Sequence, residues 1–185
     1  MNPKGFESKN EPKTENINIR IDKRVLGKLR KYAKMENSSI NAEIVKLLTF
    51  DVDWSIVATK SGWIPMPRNV LIAIMDKLDD KELVGIAEGV ARKTLRDLVL
   101  SMTGDYNVKG VLDVLGGRSR AAGFHYDEVE KDDEIHFVMQ HNMGLKWSKY
   151  FTVFYESALR DLGCSTKFTT TDNTITYAIK KSDYK

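Results

Sequence analysis

Residues 17–22, Ile-Asn-Ile-Arg-Ile-Asp, alternate strictly between apolar and polar positions. A period of two over six residues predicts a strand with one apolar face, formed by Ile17, Ile19 and Ile21. Asp22 stands where a helix N-cap belongs, and from Lys23 the period changes. Val25 or Leu26, Leu29, and Tyr32 or Ala33 recur at helical spacing, which predicts an amphipathic helix over 23–36. Asn37-Ser38-Ser39 breaks it. Ser38 or Ser39 can cap a second helix from Ile40, with Ile44, Leu47 and Leu48 as its apolar stripe, fading near Trp54. A lone strand leaves its backbone unpaired and two short helices bury little, so this unit predicts a partner, most simply its own copy.

Gly62, Pro65 and Pro67 mark a boundary. Helical patterns follow over 68–78, from 81 to about 102, and over 107–115, where Gly116-Gly117 predicts an end and GGRSR (116–120) reads as a linker. The last third changes period again. FHYDEVE (124–130) and EIHFVMQH (134–141) predict a hairpin turning about Asp132. A helix with Trp147, Phe151, Phe154, Ala158 and Leu162 on one face follows, and Gly163 closes it. A second hairpin turns through Asp172-Asn173. The expected fold class is α+β: an arm over 1–15, a dimerising strand-helix-helix unit over 16–60, and a helical segment with a β-β-α-β-β core over 64–185.

Charge sharpens this division. The 185 residues carry a net charge of +3, but residues 13–35 hold eight Lys/Arg against two Asp/Glu. A basic N-terminal segment on a near-neutral body is the electrostatic footprint of a polyanion binder. The polar first sixteen residues lack the apolar core of a secretion signal, and the single cysteine, Cys164, excludes an internal disulfide framework. Both point to a cytoplasmic protein. No apolar run approaches the length of a membrane span.

The segment INIRIDKRVLGKLRKYAKMENSSINAEIVKLL, about a fifth of the chain, resembles the ribbon-helix-helix family of DNA-binding repressors, the Arc and MetJ type. The resemblance rests on three features in order: the alternating strand, the basic helix after it, and Ser39-Ile40-Asn41-Ala42-Glu43-Ile44 opening the second helix. It implies that two chains pair their strands into an antiparallel ribbon above four interlocked helices. Ile17, Ile19, Ile21, Ile44, Leu47 and Leu48 would then form the dimer interface, and Asn16, Asn18 and Arg20 would face outward. A ribbon fits the major groove, where arginine pairs with guanine and asparagine with adenine. Lys13, Lys23, Arg24, Ser38, Ser39 and the amides of Ile40 and Asn41 are the candidates for phosphate contact, since a helix N-terminus presents unpaired N–H groups and a positive dipole end. Ser39 can cap its helix as well.

The expected function is sequence-specific, dimeric transcriptional regulation on double-stranded DNA. Two alternatives remain: an antitoxin-type protein-binding module, and an architectural DNA-binding protein without sequence preference. The C-terminal pattern is vaguely similar to small-molecule-sensing domains of some prokaryotic regulators, including the vinyl-reductase-like type, so an unidentified effector joins the partner list. Five aromatics within 147–155 suit either a core or a ligand contact. His125 and His141 would share a hairpin face if the turn centres on Asp132. Without a close-spaced Cys/His pair, however, no metal is expected. Nucleophile elbow, HExxH, dinucleotide loop and carboxylate dyad are all missing, so neither catalysis nor a cofactor is expected.

Overall fold

The computed structural model describes residues 14–184, so the expected arm and its Lys13 lie largely outside the described residues. The chain divides into two compact units, Met1–Leu47 and Leu48–Lys185.

In the first unit, residues 14–22 have no regular secondary structure, and all but Ile21 are exposed. The strand expected at 17–22 is not formed, which overturns the ribbon-helix-helix fold class. The physical reason is pairing. A strand needs a neighbour for its N–H and C=O groups, and every strand among the described residues lies between His125 and Lys180. Alternation without a sheet edge gives an extended segment, not a strand. Helix α1 (Lys23–Met35) starts where expected because the Asp22 carboxylate accepts the Arg24 N–H at 2.8 Å. It ends in a left-handed Asn37 (φ 51°), with the Ser38 N–H returning to the Ala33 carbonyl at 2.8 Å. Helix α2 (Ile40–Phe50) follows, and the division between units falls within it.

The second unit continues through a π-helical turn (Asp51–Ser55), α3 (Ile56–Lys60), α4 (Arg68–Met75) and α5 (Asp80–Val90). A second π turn (Ala91–Leu95) leads into α6 (Arg96–Thr103). Asp79 and Glu82 form a reciprocal capping box at the start of α5. Helix α7 (Val108–Ala121) runs straight through Gly116-Gly117, where the sequence predicts an end and a linker. Close packing explains both glycines. A Cβ on Gly116 would stand 3.1 Å from the Tyr126 ring, and one on Gly117 would stand 3.2 Å from the Trp54 ring.

Strands β1 (His125–Lys131), β2 (Glu134–Gln140), β3 (Lys167–Thr170) and β4 (Thr174–Lys180) form an antiparallel sheet in the order β1-β2-β4-β3, with α8 (Leu145–Arg160) between β2 and β3. The chain is thus mostly helical, with its sheet confined to the C-terminal half. His125 pairs with Gln140, so the first hairpin sits one residue off the expected register. Ile135, Phe137 and Met139 of β2 and Ile175, Tyr177 and Ile179 of β4 point to one buried face. Helix α8 packs on β3 and β4 and also on α5, burying aromatics on more than one side: Trp147, Tyr150, Phe151, Phe154 and Tyr155. Among the described residues no helix is long and apolar enough to cross a membrane.

Candidate nucleic-acid interface

The first unit buries only Ala33 and Glu43 among its described residues. Nearly everything else is surface, and its cations are all on display. Arg20 projects from the extended segment, and Lys23, Arg24, Lys28, Arg30, Lys31 and Lys34 project from α1. The anions answering them are few. Asp22 is the nearest, and its hydrogen bond from the Arg24 N–H, together with the Arg24 guanidinium 3.2 Å away, holds its carboxyl below the ordinary range. Arg24 is therefore partly committed to a helix cap, whereas Lys23 is not.

Asn16, Asn18 and Arg20 are all exposed, as a base-contacting segment requires, but they lie on an extended chain and not on a ribbon. Ile17 and Ile19, 77% and 52% exposed, are left uncovered beside them. At the head of α2 the Ser39 hydroxyl accepts the Ala42 N–H at 3.0 Å and so caps the helix. Ser38 turns its hydroxyl to Glu43, a contact that draws the Glu43 carboxyl below its usual range, and Lys46 adds to it from 3.2 Å. Of the four phosphate candidates at this helix head, the two serines are thus engaged internally. The amides of Ile40 and Asn41 have no partner among the described residues. Ile40 and Ile44 are half-buried, and Leu47 and Leu48 are exposed. Sequence reasoning missed Glu43. The signal was present as an acid one turn after a capping serine, where it meets the positive end of the helix.

The second unit has its own polar interior. His141 is fully buried. Its Nδ1 accepts the Met143 N–H at 3.1 Å, so its Nε2–H donates to the Ser148 hydroxyl at 2.9 Å, and Ser148 donates to the Thr171 carbonyl at 2.6 Å. Burial pushes the imidazole pKa down to about 4, with the charge of Arg68 adding to the effect. His125 lies apart on β1, with its ring 2.7 Å from the Asp127 carboxylate. No group of three or more His, Cys, Asp or Glu side chains suited to a metal occurs among the described residues. Cys164 is buried, which raises its thiol pKa. The Lys146 ammonium donates to the carbonyls of Met75, Asp76 and Leu78, closing the C-terminal end of α4.

No protein-family model matches the chain, and no curated protein matches it either. Among solved structures, that of a doubly substituted H-NOX protein is similar over 73% of this chain and 87% of its own, at 13% identity and a TM-score of 0.32. Likeness at that level assigns neither fold nor function. No family is shown.

Proposed function

We propose that this chain is a sequence-specific DNA-binding transcriptional regulator that acts as a homodimer, with residues 14–47 as the DNA-contacting unit. The observation that carries this reading is the pairing of exposed cations with an almost absent core. Arg20, Lys23, Arg24 and four further cations on α1 face solvent. The same unit leaves Ile17, Ile19, Val25, Tyr32, Met35, Val45 and Leu47 uncovered. Basic surface suits a polyanion, and so many exposed apolar side chains on so small a unit suit a second copy.

The extended segment Asn16–Arg20 supplies the base-reading groups, because amide and guanidinium side chains match the hydrogen-bonding edges of adenine and guanine. Lys23, Arg24 and the free amides of Ile40 and Asn41 serve the phosphates, fixing register without reading sequence. Selection of bound fragments from random DNA tests the reading. The expected result is a two-fold symmetric motif, preferred over bulk DNA by roughly a thousandfold or more. Binding without any motif would replace regulation with an architectural role, and no binding would sink both.

A further inference from the structure

The C-terminal sheet has an edge without a neighbour. Strand β1 pairs with β2 along one side in unbroken register, from His125 opposite Gln140 to Lys131 opposite Glu134. Along its other side it makes no backbone hydrogen bond among the described residues. Proline and a bulge, two devices that stop a sheet edge from templating another strand, are both missing from β1. Charge is the guard that remains. Asp127 and Glu130 are answered by His125 at 2.7 Å and Lys181 at 2.8 Å, whereas Glu128 has no ion pair among the described residues. Such a guard is selective. Two copies of β1 pairing antiparallel about Glu128 would set carboxylate opposite carboxylate, which destabilises a ladder. A strand that is apolar on one face and neutral or cationic on the other meets no such penalty.

The chain itself carries one. Residues 17–22 alternate at strand period, and from Thr14 to Ile21 they make no backbone hydrogen bond among the described residues. Ile17 and Ile19 are uncovered, and Arg20 is the one charged side chain from Asn16 to Ile21. A strand period without a sheet thus meets a sheet edge without a strand.

We propose that residues 16–21 of one copy add as a fifth strand to the β1 edge of a second copy, antiparallel, with Arg20 opposite Glu128 and Ile19 opposite Val129. Parity sets this register. Val129, 56% exposed, lies on the opposite face of β1 from Glu128, as Ile19 lies on the opposite face from Arg20. One alignment therefore joins cation to carboxylate and covers two uncovered apolar side chains. Backbone hydrogen bonds give such strand addition its affinity, and alternate side chains give it selectivity. Reciprocal exchange closes a two-fold pair. Docked in this way, Asn18 and Arg20 line a sheet edge and not a base. On the DNA-binding reading, on which this one consequence rests, the operator displaces the segment.

Disulfide trapping in the full chain tests the docking. In a Cys164→Ala background, Ile19→Cys and Val129→Cys are introduced into separate batches, mixed and mildly oxidised. The expected product is a dimer joined between positions 19 and 129, in several-fold excess over 19–19 and 129–129 dimers. A dominant 19–19 product would mean that two segments pair with each other. An intramolecular 19–129 bond in the doubly substituted chain would put the segment on its own sheet. Either overturns the proposal, as does failure to trap. Charge exchange gives a second readout. Arg20→Glu and Glu128→Lys should each weaken self-association several-fold in sedimentation at low salt, and together they should restore it. All four positions are solvent-exposed, so folding is not at stake there. Should Cys164→Ala not fold, charge exchange decides alone, and a double variant no better than the singles overturns the register. Neither assay contains DNA, so their failure leaves the DNA-binding reading standing. Trapping that persists with the selected operator bound would remove only the displacement.

Discussion

Individual side chains separate reading from gripping. In the proposed complex Arg20 meets a base edge, so Arg20→Ala should cost about 1–3 kcal/mol on the preferred site and flatten one position of each half-site. Lys23→Ala should weaken every sequence alike and make the salt dependence shallower. Parallel anisotropy titrations on specific and scrambled duplexes distinguish them, and an unchanged motif in Arg20→Ala would remove Arg20 from the reading head. His141 governs a different property. Its folded pKa of about 4 lies below the ordinary 6.5, so the unfolded chain takes up the proton first as pH falls. Stability is full above about pH 6.5, declines toward pH 4 and then levels, losing on the order of 3 kcal/mol from this group. Urea melts across that window should show the slope in the natural chain and lose most of it in His141→Gln. Lys149 and Lys181 hold the Asp80 and Glu130 carboxyls below their ordinary range, and what they contribute on the acid side is common to both chains and drops out of the comparison. None of the His141 chain was legible beforehand, because its partners Ser148 and Thr171 are brought together only by the fold.

At the level of elements, legibility followed the source of order. Helix α8 and both hairpins were visible because their periods are carried by large apolar residues that the core demands at those positions. Helix α7 was cut short because glycine is a poor helix former, while the reason for glycine there is a neighbour far along the chain. Tyr126 and Trp54 occupy the space a Cβ would take. Gly117→Ala sets a gain in helix propensity of up to about 1 kcal/mol against overpacking worth about 1–3 kcal/mol. The net expectation is destabilisation, seen as a lower urea midpoint with altered tryptophan emission, and a stabilised Gly117→Ala would show that Trp54 gives way freely. The alternation at 17–22 taught the opposite lesson. Its period was real, but a strand is a property of two segments, and among the described residues none pairs with it.

For the whole molecule, two units with very different interiors share one chain. The second buries a continuous core from Trp54 to Ile179, and its two hairpins were readable, the first to within one residue of register, whereas the β2–β4 pairing that joins them into one sheet was not. The first has no such core among its described residues, so its candidate DNA contacts could be named by residue type but not by geometry. Full-length protein should self-associate through the uncovered apolar side chains of that unit. Leu47→Lys should shift it toward monomer in sedimentation and weaken DNA binding in step, while far-UV circular dichroism stays near that of the natural chain. Self-association unaffected by Leu47→Lys would move the contact elsewhere.

An N-terminal unit that buries only Ala33 and Glu43 among its described residues carries a quantitative consequence for the proposed regulator. If the DNA-competent form is the pair, its abundance at low dose rises with the square of chain concentration and not in proportion to it. Halving the chain's abundance would then cut operator occupancy about fourfold in the dilute limit. A single operator would thus respond as a threshold device, with its sharpness set by how little one chain can bury alone.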